Sequence, residues 1–139
     1  MKLFILTIFL LFKSCGDSPE VRVEITPEKQ TQIYAGLTTV REKARCAGYF
    51  NRLDDFKVKI VTPEGTNIDG VNYIMYQGGK VAGYYDVSAD TLVLVDQPNL
   101  TAITEHEALH RIFYLNDRAR FEATKDHTRP DLFQLPECK

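Results

Sequence analysis

The chain has 139 residues, with 17 Lys and Arg against 19 Asp and Glu, and a formal net charge of −2. This length predicts a single domain, since domains usually contain about 100–200 residues. Hydrophobic residues at 44% and charged residues at 26% are typical of a globular protein and exclude disorder of the whole chain. The net charge gives no basic excess of the kind that nucleic-acid-binding proteins use, so we expect no nucleic-acid partner.

The N-terminal residues have the composition of an export signal. Lys2 is followed by an apolar run over 3–12 in which only Thr7 is polar. A membrane-spanning helix needs about 20 apolar residues, so this run is too short for a permanent membrane span. A basic start before a short apolar core is typical of a secretory signal peptide. We therefore predict a signal peptide over 1–14.

The residues after this run resemble the lipobox of bacterial lipoproteins, in which a small residue precedes the cysteine that receives the lipid. Here Ser14 precedes Cys15, and Lys13 departs from the small or aliphatic residue usual at its position. The resemblance implies lipidation of Cys15, a polar tether over 15–20, and a domain over 21–139 held at a membrane of the cell envelope. The alternatives are plain secretion, an uncleaved anchor and a buried N-terminal strand.

Two cysteines, Cys46 and Cys138, remain as an even pair if Cys15 carries lipid. Export to an oxidising compartment would allow a disulfide between them. Because the bond would close a long loop, it would contribute about 2–4 kcal/mol to the free energy of unfolding. Two free thiols are the alternative.

The first two predicted elements of the domain are a strand and a long helix. Apolar and charged residues alternate over 21–25, the period of a half-exposed strand. Thr26 and Pro27 are typical of a helix start. Apolar residues then recur at three- and four-residue steps as far as Gly48. These steps predict one amphipathic helix of about five turns.

The middle of the chain carries strand patterns separated by turn residues. The predicted strands are 56–61, 71–76, 81–86 and 91–95, and the last two form a hairpin around 87–90.

A second helix is predicted over 101–115, and 118–125 is either a short helix or an ordered loop. Pro130 and Pro136 keep the tail irregular. This order predicts an α+β fold with one long helix, a small and mostly antiparallel sheet, a second helix and an irregular C-terminal tail.

The second predicted helix contains the pattern H-E-x-x-H, formed by His106, Glu107 and His110. Residues four apart lie on the same face of a helix, so both imidazoles can bind one metal ion. Glu107 is offset from His106 by about 100°, and can therefore act on a water at the ion instead of binding the ion. The pattern predicts a zinc site with Glu107 as the catalytic base. Histidines at the surface or hydrogen-bonded to a carboxylate, without metal, are the alternative.

The third metal ligand must come from the tail, since a catalytic zinc normally has three protein ligands. His127 is the first candidate because it is the only other histidine, 17 residues after His110. The carboxylates of Asp126, Glu122 and Asp117 are the alternatives. Asp117 and Asp126 could also accept a hydrogen bond from a metal-binding imidazole.

With His106, Glu107 and His110 in place, the sequence resembles the zincin superfamily of zinc metallopeptidases. The segments 81–86 and 91–95 resemble the strands that form the rim of the zincin cleft and bind the extended substrate. Metzincins place Gly and His seven and ten residues after the first histidine, where this chain has Phe113 and Asn116.

A closer likeness is to small zincin-like domains of bacterial or phage-encoded lipoproteins. In those domains the histidine pattern is followed by an aspartate, a late histidine, a phenylalanine and a terminal cysteine. The corresponding residues here are Asp117, His127, Phe133 and Cys138. This likeness supports His127 as the third ligand.

The resemblance implies a zinc-dependent peptidase that acts on a peptide or protein substrate. The developing oxyanion needs a hydrogen-bond donor besides the metal, and the candidates are Tyr114, Tyr84, Tyr85 and Arg111. A lipid-anchored zinc-binding or interaction domain without turnover is one alternative function. A structural lipoprotein without metal is another.

Overall fold

The computed structural model describes residues 22–50, 57–136 and 138. The predicted signal peptide over 1–14, the lipidation site Cys15 and the tether over 15–20 lie outside the described residues. Within the described ranges, no helix has both the length and the apolar composition needed to cross a membrane.

The described elements give an α+β fold, which agrees with the predicted class. In chain order they are β1 (Arg22–Val23), α1 (Pro27–Cys46), β2 (Lys57–Val61), β3 (Gly65–Thr66), β4 (Asn72–Tyr76), β5 (Gly79–Val81), β6 (Gly83–Asp86), β7 (Thr91–Val95), α2 (Thr101–Asn116) and α3 (Arg118–Thr124), before a 3-10 turn at Pro130–Phe133.

The long helix α1 begins and packs as its sequence predicts. The Thr26 side chain accepts a hydrogen bond from the backbone N–H of Lys29 at 3.4 Å, and Pro27 occupies the first turn. The helix crosses α2 closely at Gly36, where an added Cβ would lie 2.6 Å from the carbonyl oxygen of Thr101. Only a glycine allows the two backbones to approach this closely.

The sheet arrangement differs from the single, mostly antiparallel sheet predicted. One sheet has the order β1-β2-β7-β6, and a second has the order β3-β4-β5. Strands β2 and β7 are parallel, with Ile60 opposite Leu94. A parallel pair needs a long connection, and here the connection contains the whole second sheet.

Two predicted strands have different bounds in the structure. The segment 81–86 is not one strand, because Ala82 separates β5 from β6: β5 pairs with β4, whereas β6 pairs with β7. The predicted strand 21–25 is reduced to Arg22–Val23 in the described residues. The turn between β6 and β7 lies where the hairpin was predicted, with Asp86 opposite Thr91.

Strand β7 is the centre of the core, and all five of its residues are buried. Leu92 and Leu94 face α1 and α2, while Val93 and Val95 pack with Ile74 of the second sheet. The strand is therefore covered on both faces, which holds α2 against one side of β6 and β7 and the second sheet against the other.

The C-terminal tail is joined to the end of α1. Cys46 and Cys138 form a disulfide, with Cα atoms 5.0 Å apart and 92 positions apart in sequence. Leu135 of the tail is buried in the core. The tail is irregular, as predicted, but it is fixed at both of these points.

Candidate metal centre

Three imidazoles converge beside α2. His106 and His110 lie one turn apart on the helix, and His127 follows α3 in the tail. The Nε2 atom of His127 lies 2.9 Å from Nε2 of His106 and 3.2 Å from Nε2 of His110. The structure therefore brings together the two histidines of the H-E-x-x-H pattern and the tail histidine that was the first candidate for the third ligand.

This arrangement fits a tetrahedral cation. Nitrogen ligands about 2.0–2.1 Å from a tetrahedral ion lie about 3.3 Å from one another, close to the separations at His127. A neutral imidazole nitrogen carries either one hydrogen or one lone pair. Nε2 of His127 therefore cannot form two full hydrogen bonds with its two neighbours. A cation between the three lone pairs would satisfy all of them.

Burial keeps two of the three histidines neutral. Desolvation lowers the pKa of His106 to about 4, with a further contribution from His127. Desolvation also lowers the pKa of His110 to about 3, and His106 and His127 add to the effect. Neutral imidazole is the form that binds metal, so both candidate ligands on the helix are in that form at neutral pH.

Backbone conformation places His127 over α2. Its φ of 62° lies in the left-handed region. Its N–H donates to the carbonyl oxygen of Thr124 at 3.1 Å, which closes a turn at the end of α3. The ring is thus directed back towards the two helix histidines.

The three carboxylates predicted as alternative ligands are engaged elsewhere. Asp117 accepts a hydrogen bond from the backbone N–H of Arg120 at 3.0 Å and so caps α3. Glu122 forms an ion pair with Lys125. Asp126 accepts hydrogen bonds from the N–H and hydroxyl of Thr128, at 3.1 and 2.9 Å. None of the three belongs to the histidine cluster.

The predicted hydrogen bond between an imidazole and Asp117 or Asp126 is absent at His110. The Nδ1 atom of His110 is buried and has no hydrogen-bond partner in the described residues. Its ring is instead flanked by aromatic rings, with Phe133 at 4.7 Å and Phe121 at 6.5 Å between centroids. Packing contacts, not a carboxylate, surround this imidazole.

Glu107 lies between α2 and β6. Its side chain is buried, and burial raises the pKa of its carboxyl group to about 8. It fits there because position 83 is a glycine: a Cβ on Gly83 would lie 3.2 Å from Cγ of Glu107. Glycine at this position of β6 therefore avoids a tight contact with the Glu107 side chain.

An open cleft of about 730 Å³ lies beside the cluster and is lined by Glu107, His110 and His127. Strand β6, at one end of the four-stranded sheet, forms one wall together with the β4–β5 turn. On that wall the rings of Tyr76 and Tyr84 stack face to face, with centroids 3.8 Å apart. The cleft thus brings a sheet edge and aromatic surface to the candidate base.

Of the predicted oxyanion donors, Tyr84 and Tyr85 line the cleft. The Tyr85 hydroxyl donates to Oδ1 of Asp90 at 2.7 Å, and burial together with this carboxylate raises the pKa of Tyr85. Tyr114 packs against Phe121 instead, with centroids 5.2 Å apart, and Arg118 covers its ring.

Arg111 does not reach the cleft either. It is buried, and its Nε donates to Oδ1 of Asp90 at 2.8 Å. Because Asp90 binds both Arg111 and Tyr85, this carboxylate fixes the β6–β7 turn on α2.

The residue pattern gives no indication of the roles of Gly83, Tyr76 and the Arg111–Asp90–Tyr85 network. Phe133 enters only through a likeness to other domains, although its ring stacks on His106 with centroids 4.2 Å apart. Each role depends on how separate helices, strands and turns pack together, which residue spacing does not show.

In comparisons with known proteins, no family model, curated protein or solved structure matches the chain. The functional interpretation therefore depends on the site itself.

Proposed function

We propose that the protein is a zinc-dependent peptidase with a zincin-like fold, in which His106, His110 and His127 hold Zn²⁺ and Glu107 is the general base. The convergence of three Nε2 atoms beside a buried glutamate carries this proposal. All three ligands are of a type that zinc accepts, and three protein ligands are the usual number in a catalytic zinc site.

When bound, Zn²⁺ would supply a Lewis acid that polarises a carbonyl group and lowers the pKa of water to about 7. Glu107 would accept a proton from the attacking water at its carboxylate and donate it to the leaving amine. Its pKa of about 8 without metal suits this double role, and a neighbouring cation would lower that value. Of the two tyrosines that line the cleft, Tyr84 is the candidate donor of a hydrogen bond to the oxyanion, because the Tyr85 hydroxyl already donates to Asp90.

Strand β6 would orient the substrate. It pairs with β7 on one side and is the end strand of its sheet in the described residues. An extended peptide can bind such an edge by main-chain hydrogen bonds, as an added strand. The scissile bond would then lie next to Glu107, which packs directly behind Gly83.

We also propose that the protein is exported and anchored in the cell envelope by a lipid on Cys15. The apolar run before Cys15 supports export, and the Cys46–Cys138 disulfide is typical of an oxidising compartment. Mass spectrometry of the membrane fraction tests the anchor: a Cys15→Ser variant should lose the lipid mass and leave the membrane. A wild-type chain without a lipid adduct would contradict it.

The peptidase proposal is tested by Glu107→Gln, with Glu105→Gln as a matched control on the same helix. Glu105 pairs with Lys43 of α1, away from the histidines. The zinc-loaded proteins are incubated with a peptide library and the products identified by mass spectrometry. We expect Glu107→Gln to lower the rate by about 10²–10⁴-fold and Glu105→Gln to retain it.

Undiminished hydrolysis by folded, zinc-loaded Glu107→Gln would refute the mechanism. Stoichiometric zinc without cleavage of any library peptide by the wild type would favour the alternative function, a lipid-anchored zinc-binding or interaction domain. Absence of stoichiometric zinc would leave a structural lipoprotein.

A further inference from the structure

Phe133 lies against the side of the histidine cluster formed by the tail. Its ring stacks on His106, with centroids 4.2 Å apart and planes inclined by 29°. It meets His110 edge-on at 4.7 Å and 62°. The ring of His127 lies further away, at 6.4 Å. One aromatic side chain therefore contacts both helix histidines and approaches the third.

The position of Phe133 is itself determined by packing on both sides. Its ring meets Phe113 of the core edge-on, with centroids 5.7 Å apart. It ends the 3-10 turn at Pro130–Phe133, and Leu135, two residues later, is buried. The disulfide at Cys138 then joins this segment to α1. The ring is thus held between the core and the imidazoles.

In the described residues, no hydrogen bond from Nδ1 fixes the orientation of the His110 ring. A metal-binding histidine usually donates its other ring N–H to an oxygen acceptor, which fixes the ring. At His110 the buried Nδ1 has no such partner in the described part of the chain. Aromatic packing can restrict ring rotation in its place, because flat and edge-on contacts between rings have preferred geometries.

We propose that Phe133 is a positioning residue of the metal centre, whose ring fixes the orientations of the His106 and His110 imidazoles for metal binding. This inference rests on the proposed zinc site but not on hydrolysis. Phe133 makes no bond to the ion and takes no part in proton transfer. Because Phe133 already restricts rotation of the two imidazoles, less conformational entropy is lost when they bind the ion.

The experiment compares four forms of the full chain: wild type, Phe133→Leu, Phe133→Tyr and Leu135→Ala. Phe133→Leu keeps an apolar side chain but removes the flat ring, and Phe133→Tyr restores the ring. Leu135→Ala weakens the packing of the same tail segment without removing the ring that contacts the histidines. For each form we measure the Zn²⁺ dissociation constant by competition with a chromophoric chelator, the visible spectrum with Co²⁺, and the unfolding of the metal-free protein.

We expect Phe133→Leu to weaken Zn²⁺ binding about 10-fold or more, the scale of the loss when a group that orients a metal ligand is removed. Its Co²⁺ spectrum should change, because the spectrum reports the coordination geometry. Phe133→Tyr should keep both properties of the wild type. Leu135→Ala should lower the stability of the metal-free protein while its Zn²⁺ affinity stays close to that of the wild type.

Two results would overturn the proposal while leaving the peptidase intact. One is a Phe133→Leu affinity and Co²⁺ spectrum equal to those of the wild type. The other is an equal loss of affinity in Leu135→Ala, which would make tail packing, not ring contact, the cause. Zinc binding by the wild type without hydrolysis would refute only the peptidase. A wild type that binds no zinc would refute both proposals.

Discussion

Gly83 of β6 lies against Glu107 of α2, at a point where the backbone of Val93 leaves no room for a side chain at position 83. A Cβ there would lie 3.2 Å from Cγ of Glu107 and 2.8 Å from the carbonyl oxygen of Val93. Glycine at position 83 therefore avoids crowding of the candidate base. Burial of its carboxyl group raises the pKa of Glu107 to about 8.

Gly83→Ala should displace Glu107 without removing any metal ligand. We expect the free energy of unfolding to fall by about 1–3 kcal/mol, because the added methyl group would overlap the carbonyl oxygen of Val93 in β7 and crowd Glu107 in α2. The hydrolysis rate should also fall, because Glu107 is displaced, whereas the zinc stoichiometry should be retained. Denaturant unfolding, elemental analysis and the peptide assay measure the three quantities.

The control for this substitution is Gly79→Ala, in β5 on the wall of the same cleft. There the nearest atom to a new Cβ is the carbonyl oxygen of Tyr76, at 4.0 Å. Its stability should stay within about 0.5 kcal/mol of the wild type. Equal results for Gly83→Ala and Gly79→Ala in all three assays would show that the close contact between Gly83 and Glu107 is not needed for stability or hydrolysis.

The raised pKa of Glu107 predicts a pH dependence of stability in the metal-free protein. The ordinary pKa is 4.5 and the folded value about 8, so between these pH values the folded state binds more protons than the unfolded state. Stability then falls as pH rises. We expect the unfolding free energy of the wild type to decline by a few kcal/mol relative to Glu107→Gln between about pH 4.5 and 8.

Chelator-treated samples of both forms, unfolded by denaturant at several pH values, provide the measurement. The comparison with Glu107→Gln cancels the contribution of His106 and His110, whose lowered pKa values act in the opposite direction. Those two histidines reduce stability as pH falls from about 6.5. A constant difference between the two forms across the range would show that Glu107 titrates normally.

How much of this site the sequence could predict depends on how local each contact is. The helix α2 and its paired histidines follow from a periodicity contained in a few turns. The parallel pairing of β2 with β7 could not be predicted, because alternating apolar residues indicate a strand but not which strand it pairs with. For the same reason, the alternation over 81–86 does not show that this segment belongs to two strands, which pair in different sheets.

The candidate third ligand could be predicted only in part. His127 could be named from the inventory of histidines, but three carboxylates remained open because the path of the tail was unknown. Only the turn at the end of α3, with its positive φ at His127, directs that ring to α2. The stacking of Phe133 on His106 also depends on the path of the tail, so residue spacing does not predict it.

His127→Ala should weaken Zn²⁺ binding strongly, because it removes one of the three proposed ligands. Asp126→Asn, at the adjacent residue, should leave affinity within about threefold, since Asp126 is exposed and binds Thr128. Chelator competition gives the two dissociation constants. Strong loss in Asp126→Asn with retained binding in His127→Ala would assign the third ligand to the carboxylate instead.

The disulfide between Cys46 and Cys138 closes a loop with a sequence separation of 92. A bond that closes a long loop removes conformational freedom mainly from the unfolded chain. We therefore expect the double variant Cys46→Ser, Cys138→Ser to lose about 2–4 kcal/mol of unfolding free energy in denaturant titrations. Reductant should lower the stability of the wild type towards that of the variant. It should not change the variant itself, and an equal response of both forms would mean that the two cysteines are not bonded to each other in solution.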